Sequence, residues 1–480
     1  MPTSRAVRHP ALVLVSLALA QLIIALDYSI VFVALPDIGS GIGFSSHELQ
    51  WVIGAYAVTF GGFLLLGGRL SDLLGRRRLF LVGLALYAVS SVAGGLAESP
   101  ELLVLARAVQ GLGGAVLGPS TLSLITTMFA EGKERNRALG VWGATGSSGM
   151  VLGSLLGGVL TQTMGWEAVF YVNVPLALGV GILALLVVPA DAPAERRGGL
   201  DIPGGITVTA GALLLVFGLV NGPKAGWTDA LTLGSFVAAA LFIAAFVVIE
   251  SRTANPLVPL HVFKNRSLRF GTLITFSFMA TFGASAYFIT LALQEVRGWN
   301  ALNTGLAYIL PCALILVGSL IGGKLSTAIG VRSTLVLGLV VGAIGTALFA
   351  AFLGEGASFL QMSPGIIVFS LAQGVLWTAM FAAATSGVKD ELQGLASGLA
   401  TSGQQVGAAV GLAVLVAVTS AVSGADPSPA QLSTGLQVAE YTAAALILLT
   451  VVFALALPKA KAKAGEASAA QAEKTATEKV

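Results

Sequence analysis

Two charged residues interrupt long apolar runs and have the right chemistry to bind and release a proton. Asp27 lies in ALDYSIVFVALP, and Arg107 lies in ELLVLARAVQGLGGAVLGPS. An ionised carboxylate is costly in hydrocarbon, so an acid in such a run usually marks a proton, ion or ligand pathway. A neighbouring arginine favours the ionised form whereas burial favours the neutral form, so the pair could exchange a proton as its surroundings change.

The positions of the two residues along their helices place them at similar depths. At a rise of about 1.5 Å per residue, Asp27 lies about 13 Å from the helix end near Pro36, and Arg107 lies about 9 Å in from Glu101. An acid at the membrane surface is the alternative, but this depth is too great for it. We therefore predict that Asp27 and Arg107 are proton-coupling residues.

The composition indicates that membrane helices hold these two residues. The chain has 480 residues, of which 56% are hydrophobic and 10% are charged, whereas soluble domains carry about 25% charged residues. Such a chain cannot cover itself with a surface compatible with water, and its 60 glycines suit helices that pack closely in lipid. We predict an all-α polytopic membrane protein. A net charge of +3 with dispersed basic residues gives no indication of nucleic-acid binding.

Fourteen segments are apolar enough to cross a bilayer, which requires about 20 residues per helix. The first follows Arg5 and Arg8 but is too long for a secretory signal. With the N-terminus in the cytoplasm, 23 of the 26 Lys and Arg residues fall in the termini and the even-numbered loops. Because cytoplasmic loops carry the excess of positive charge, we predict a cytoplasmic-membrane protein with both termini in the cytoplasm.

The sequence contains no recognisable catalytic or metal-binding pattern. His47 opens HELQ rather than the HExxH of zinc proteases, the three histidines are scattered, and there is no phosphate-binding Walker loop. A membrane-embedded enzyme would need a convergent nucleophile and base, or a metal cluster. We therefore expect no enzyme, no metal and no cofactor. The single cysteine, Cys312, excludes a disulfide within the chain.

The chain also contains an internal repeat, as many transporters do. GGRLSDLLGRRRLFLVG, which begins at Gly67, matches GGKLSTAIGVRSTLVLG, which begins at Gly322. Further along, Gln110 matches Gln373. The repeat predicts two halves, and the full division is residues 1–190 for the N-terminal six-helix bundle, 191–257 for a two-helix insert with linkers, 258–458 for the C-terminal six-helix bundle, and 459–480 for a disordered cytoplasmic tail.

The loop after the second apolar segment resembles that of the major facilitator superfamily. The family pattern is G-x-L-a-D-r-x-G-r-[RK], and this chain meets it at Gly68, Leu70, Asp72, Gly75, Arg76 and Arg77. The arginines alone would anchor the loop in the cytoplasm. The resemblance implies more: Gly68, Asp72, Gly75 and Arg76 form a conformational latch that holds the two halves together on the cytoplasmic side in the outward-open state. Charge-assisted bonds of Asp72 would break when the halves move.

Further motifs resemble the fourteen-helix drug:proton antiporter branch, the DHA2-like multidrug efflux transporters. The pattern L-x-x-x-R-x-x-Q-G is met at Leu103, Arg107, Gln110 and Gly111, and D-x-[ST]-[IV]-[VF] is met from Asp27 to Val31. In the fifth segment, four-residue spacing predicts a helix-packing stripe at Gly149, Gly153 and Gly157. The branch has a proline directly after the second of these glycines. This chain has Ser154 there, so we expect the proline kink to be missing.

The resemblance implies the major facilitator fold, with two six-helix bundles plus a two-helix insert. It also implies a monomer in the lipid bilayer that exports a small lipophilic compound, driven by the proton gradient. The tenth and thirteenth segments have no acid, which favours neutral or monocationic cargo. Pockets combine apolar surface with a few polar groups, and the candidate substrate-binding residues are Tyr56, Gln110, Gln373, Trp377, Met380, Phe381 and Gln404. Proton-coupled uptake of a small nutrient and a non-transporting membrane scaffold are the alternatives.

Overall fold

The computed structural model consists of long helices that lie roughly side by side. It describes residues 9–45, 48–129, 133–191, 201–254, 256–354, 356–386, 388, 393–424 and 427–458. The helices are α1 Pro10–Ile42, α2 Trp51–Leu74, α3 Arg76–Gly95, α4 Pro100–Met128, α5 Lys133–Met164, α6 Ala168–Val187, α7 Ile202–Ala225, α8 Ala230–Arg252, α9 Arg266–Gln294, α10 Ala301–Ile329, α11 Val331–Ala351, α12 Phe359–Thr385, α13 Gln393–Ser423 and α14 Pro429–Leu455. Over these residues, the prediction of an all-α fold with fourteen membrane-length helices is confirmed. The predicted disordered tail, 459–480, lies outside the described residues.

Several helices begin at side chains that bind otherwise free backbone amides. Ser99 accepts a hydrogen bond from the amide of Leu102 at 3.3 Å, and Asp229 does the same for α8. Ser358 and Ser428 each form a reciprocal capping box with a glutamine. These caps matter because lipid offers no hydrogen-bond partner to an unsatisfied backbone group.

The two copies of the repeated loop have the same backbone conformation. Gly75 separates α2 from α3 with φ 106° and ψ 135°, and Gly330 separates α10 from α11 with φ 83° and ψ 152°. A positive φ is readily adopted only by glycine. The repeat in the sequence therefore corresponds to a repeated sharp turn in the structure.

Helix pairing repeats in the same way. In the first six helices α1 packs on α5, α4 packs on both α2 and α3, and α3 also packs on α6. In the last six, α9 packs on α13, α12 packs on both α10 and α11, and α11 also packs on α14. The inserted helices α7 and α8 pack on each other, and α7 also contacts α2 and α13. The insert therefore lies along the seam between the two repeats.

Besides the packing of α2 on α13, the two repeats contact each other at the face of the bundle opposite the N-terminus. Gln294 Nε2 of α9 donates to the backbone carbonyl of Val33 in α1 at 2.9 Å. Beside it, α5 and α10 approach so closely that a Cβ at Gly158 would lie 2.7 Å from the carbonyl oxygen of Ala301. The two repeats are therefore in direct contact at this opposite face.

Candidate functional site

The side chain of Asp27 lies at the centre of a buried polar network. Its Oδ2 accepts a hydrogen bond from Arg107 Nη1 of α4 at 2.8 Å. Its Oδ1 accepts from Gln110 Nε2 of α4 and from Asn173 Nδ2 of α6, both at 2.8 Å. Asp27 is fully buried and Arg107 is 2% exposed. The structure thus brings the two predicted proton-coupling residues into direct contact.

Arg107 is itself held from a third helix. Its Nε donates to the carbonyl of Val52 in α2 at 2.8 Å, and its Nη1 also donates to Gln110 Oε1 at 2.6 Å. The guanidinium lies over the ring of Tyr56, with Cζ 4.4 Å from the ring centroid. Cation–π contact of this kind stabilises a desolvated cation. The arginine is therefore fixed on both sides and retains its charge away from water.

A second layer of hydroxyls surrounds this core. The Tyr56 and Tyr87 hydroxyls are 2.7 Å apart, and Gln110 Nε2 also donates to Ser91 Oγ at 3.1 Å. Tyr87 and Ser91 lie on α3, so four helices besides α1 contribute to the network. Connected hydrogen bonds of this kind strengthen one another, so a change at one member of the network affects the others.

Small residues on α4 allow α2 to come close enough for these bonds. A Cβ at Gly111 would lie 2.4 Å from the carbonyl oxygen of Tyr56 and 3.1 Å from the amide nitrogen of Phe60. Thr59 Oγ1 of α2 donates across the interface to the carbonyl of Ala108 at 2.9 Å. The glycine in the sequence pattern is thus required for close approach, which is the reason that Arg107 can reach the backbone of α2.

The geometry fits an ionised carboxylate. Three N–H groups point at the two oxygens of Asp27, and a buried charge that is paired and hydrogen-bonded in this way offsets part of its desolvation cost. Breaking such a buried pair by removing one partner costs about 3–5 kcal/mol. Protonation of Asp27 would remove the negative charge that attracts Arg107, Gln110 and Asn173. It would therefore favour a different arrangement of α1, α4 and α6.

Three members of the network are absent from the sequence-based predictions. Tyr87 and Ser91 lie in a predicted membrane span without any charged neighbour, and Asn173 lies near the start of another. A polar side chain on the buried face of a membrane helix is the only signal that could have found them. Asn173 is the clearest case because, among the described residues, its Oδ1 has no hydrogen-bond partner and its Nδ2 donates to Asp27 alone.

The predicted latch has a partner that the sequence did not indicate. Asp191, after α6, accepts hydrogen bonds from the backbone amides of Arg77 at 2.9 Å and Arg78 at 3.0 Å. It therefore caps the N-terminus of α3 directly beside Gly75, where an added Cβ would clash with the carboxylate. Arg76 begins α3, and Gly68 lies on α2 near Pro119 of α4. The side chain of Asp72 lies outside the described part of the chain.

The glycine stripe of α5 packs on α1. A Cβ at Gly149 would lie 2.9 Å from Ala25 Cβ, and one at Gly157 would lie 2.7 Å from the carbonyl oxygen of Ile30. Gly153 is equally close to the backbone of Leu26. Helix α5 runs without interruption from Lys133 to Met164. The Ser154 hydroxyl donates back to the Met150 carbonyl at 3.1 Å, so the backbone of α5 continues through the position of the family proline.

The candidate substrate-binding residues fall into two groups. Tyr56 and Gln110 belong to the Asp27 network and are buried. The other five lie on α12 and α13. Of these, Trp377 is 37% exposed and stacks edge-on between Phe278 and Phe381, with centroid distances of 5.9 and 6.0 Å. Met380 is fully buried, Gln373 is half-buried, and Gln404 is buried with an Nε2 that has no partner.

No group of three or more metal-ligating side chains is found among the described residues. The buried polar chemistry of the first repeat that the structure describes is the acid–arginine network.

Comparison with known proteins is consistent with this geometry. A family model described as Major Facilitator Superfamily matches residues 17–412 and 271–479. The chain is 38% identical over 392 residues to the cephamycin export protein CmcT of Amycolatopsis lactamdurans, with 79% of each chain covered. It is also 38% identical over 392 residues to the lincomycin resistance protein of Streptomyces lincolnensis, with 80% of this chain and 79% of the relative covered. The multidrug resistance protein Stp of Mycobacterium tuberculosis is 34% identical over 397 residues, with coverages of 82% and 73%.

Solved structures show the same fold. The human organic anion transporter MFSD10 superposes with a TM-score of 0.61 at 18% identity, over 95% of this chain and all of that chain (100%). A peptide transporter POT in complex with sulfate superposes with a TM-score of 0.68 at 14% identity, over 93% and 96%. At these identities the likeness concerns the fold alone.

Proposed function

The chain belongs to the major facilitator superfamily, and on that premise we propose that it is a drug or antibiotic exporter of the fourteen-helix branch, driven by the proton gradient. Relatives at 34–38% identity are named as export or resistance proteins, which supports efflux as the activity. The observation that supports proton coupling is the buried Asp27 carboxylate with its arginine at 2.8 Å.

The cycle follows from the contacts of that carboxylate. The Asp27 carboxyl group accepts three hydrogen bonds and is closed off from the face opposite the N-terminus, where α1 meets α9 and α5 meets α10. Opening at that face gives the carboxylate access to external water and protons. A protonated Asp27 releases Arg107 and its other donors, and this shifts the preferred arrangement of the first repeat relative to the second. Opening towards the cytoplasm then lets the proton leave.

Substrate binding is coupled to the same network through Tyr56 and Gln110. A compound that contacts Tyr56 or Gln110 changes the contacts that hold Arg107 in place. Cargo binding and proton binding therefore depend on the same side chains and compete with each other. Trp377 and Phe381 would supply apolar surface, with Gln373, Met380 and Gln404 beside them. The cargo is a small lipophilic compound, neutral or monocationic, because α10 and α13 carry no acid.

The remaining features complete the proposal. The protein acts as a monomer in the cytoplasmic membrane, with both termini in the cytoplasm. Its six-helix bundles are residues 1–190 and 258–458, and residues 191–257 are the two-helix insert with linkers. Gly68, Asp72, Gly75 and Arg76 form the latch on the cytoplasmic side, to which Asp191 adds a fixed cap of α3.

Direction of transport separates this function from its alternatives. Cells loaded with ethidium, a lipophilic monocation, should lose the dye faster when they express the native chain and an energy source is supplied. Asp27→Asn should abolish this faster loss of dye at an unchanged protein level. Glu98→Gln, which replaces an exposed acid, is the control and should keep it. Dye accumulation instead of loss would indicate an uptake symporter. Unchanged dye content and unchanged proton flux with ethidium and a panel of antibiotics would indicate a scaffold.

A further inference from the structure

The second repeat contains a buried acid that the mechanism above does not use. Glu440 lies in the middle of α14 and is 1% exposed. It follows Pro429 by eleven residues, which places it about 16 Å from that end of the helix. Neither of its carboxylate oxygens has a well-formed hydrogen bond among the described residues. The Ser285 hydroxyl of α9 is the polar group that faces Glu440 and could donate to it, and the hydrogen bond of Ser285 to the carbonyl of Thr281 is long, at 3.4 Å.

No cation among the described residues forms an ion pair with Glu440, and the guanidinium of Arg297, just after α9, is bound to backbone carbonyls instead. Helix α14 packs on α9, α11 and α13, and in the described residues α13 carries no charged side chain. The charged residues of the other two helices are Arg266 and Arg269 in α9 and Arg332 in α11, all in the first turn or just after it. They belong to the face of the bundle where α14 ends, about 22 Å along α14 from Glu440. The other titratable groups on these helices are the phenols of Tyr287 and Tyr441.

The surroundings of Glu440 influence whether its carboxyl group binds a proton. A carboxylate that is removed from water and has no cation beside it is so costly that burial favours the neutral, protonated form. The surroundings of Glu440 therefore favour a bound proton, whereas three N–H donors surround the carboxyl group of Asp27. Among the described residues, each repeat has a mid-membrane acid, and the two acids have opposite surroundings.

The polar positions of the first network recur here in a depleted form. The repeat places Thr346 of α11 where Ser91 lies in α3, and Ser370 of α12 where Arg107 lies in α4. Both hydroxyls are buried, and neither has a hydrogen-bond partner in the part of the chain that the structure describes. The second repeat therefore keeps polar side chains at these depths but lacks the arginine that would keep an acid ionised.

The helix that faces Glu440 is irregular at the same level. Residues Met279–Gly283 of α9 form a π-helical turn that ends two residues before Ser285. Helix α13 packs directly on this turn, because a Cβ at Gly411 would overlap the backbone of Ala280. π-Helical turns within α-helices are often found at functional sites, since one residue can be gained or lost from the register. Such a shift would change what Ser285 and its neighbours offer to Glu440.

We propose that Glu440 is a second proton-binding site of the transport cycle. It holds a proton in the conformation described and releases it when rearrangement of the π-helical turn admits water, so that two protons enter for each cycle. This inference rests on the proposed proton-coupled export. It requires no other reactant, because the carboxyl gains a proton from one face and gives it up to the other.

Stoichiometry provides the first test. The full chain is reconstituted in lipid vesicles, and proton entry is measured per ethidium moved in the opposite direction. The ratio should be about two for the native chain and about one for Glu440→Gln, a twofold change. Exchange of one monocation for one proton moves no net charge, so export by Glu440→Gln should also lose its dependence on membrane potential. A ratio that is the same in both proteins overturns the inference. If ethidium moves without protons in the native chain, the proposed function fails instead, and the second test still decides the role of Glu440.

The second test does not depend on transport. Infrared spectra of the native chain in vesicles should show the carbonyl stretch of a protonated carboxylic acid, which Asp27→Asn retains and Glu440→Gln removes. Glu440→Asp, which keeps a carboxyl group, should shift the band and serves if the glutamine variant does not fold. We expect the band to disappear as the pH is raised between about 5 and 10, and to change when ethidium is added. Absence of the band would show that Glu440 is permanently ionised. A band that neither pH nor ethidium alters would show that it is permanently neutral. Either result would overturn the inference.

Discussion

Replacement of Asn173 by leucine tests the coupling network through a single hydrogen bond. Asn173 Nδ2 donates to Asp27 Oδ1 at 2.8 Å, and the amide oxygen has no partner. Leucine has the same branching as asparagine, so Asn173→Leu removes one donor from the carboxylate while Gln110 still occupies the same oxygen. A hydrogen bond to a charged group contributes about 1.5–3 kcal/mol.

That loss has a defined effect on transport. The bond stabilises the ionised form of Asp27 more than the neutral form, so its removal favours proton binding, by at most about 10- to 100-fold at 1.36 kcal/mol for each factor of ten. The proton concentration at half-maximal ethidium export should fall by the same factor. The assay is initial export rate against external pH in vesicles that contain equal amounts of protein.

A matched control comes from the insert. Asn221 Nδ2 of α7 donates to the Thr232 hydroxyl of α8 at 2.8 Å, far from the network. Asn221→Leu removes a bond of the same length and type, and it should leave the pH profile where it is in the native protein. The reasoning is refuted if Asn173→Leu folds normally and its pH profile coincides with those of the native chain and the control.

Three further predictions concern the helices that carry the site. Asp72→Asn should leave the protein level intact but reduce ethidium export severely, and normal export by this variant would remove the latch from the account. Gly153→Ala places a Cβ against the backbone of α1 and should lower stability by about 1–3 kcal/mol, seen as earlier thermal unfolding in detergent. Gly179→Ala is the control, because a Cβ at Gly179 would meet no neighbouring atom within 4 Å, and this variant should unfold like the native chain. Equal unfolding curves for Gly153→Ala and Gly179→Ala would contradict the close packing of α5 on α1. Asp191→Ala removes both caps of α3 and should cost about 0.5–2 kcal/mol in the same assay, while Glu98→Gln should cost nothing measurable.

Much of the fold could be predicted from the sequence because a bilayer restricts what a chain can do. Each crossing must be a helix of about 20 apolar residues, since lipid cannot satisfy free backbone groups. The repeated loop then predicted the repeated turn at Gly75 and Gly330. The pairing of Asp27 with Arg107 followed from depth alone, because helices of known rise convert residue counts into distances.

The rest of the site depended on contacts that depth cannot specify. Asn173 is 146 residues from Asp27 in the chain, and only the rotation of α6 about its own axis aims its amide at the carboxylate. Asp191 lies in a loop, where an acid usually faces water, and its two bonds to α3 depend on how α6 ends. Glu440 lies four residues after the predicted start of its apolar run, residues 436–457, close enough to suggest the membrane surface. The helix in fact begins at Pro429, which places Glu440 deep in the bundle.

The central claim is that Asp27 binds the proton that drives export. The most direct measurement uses vesicles that contain the purified chain and have a pH gradient across the membrane. Proton entry is measured while ethidium moves in the opposite direction. The native chain and Glu98→Gln should couple each ethidium to proton entry, and Asp27→Asn should show neither flux above empty vesicles. Proton entry by Asp27→Asn at the native rate would contradict the account, because the proton would then be bound elsewhere.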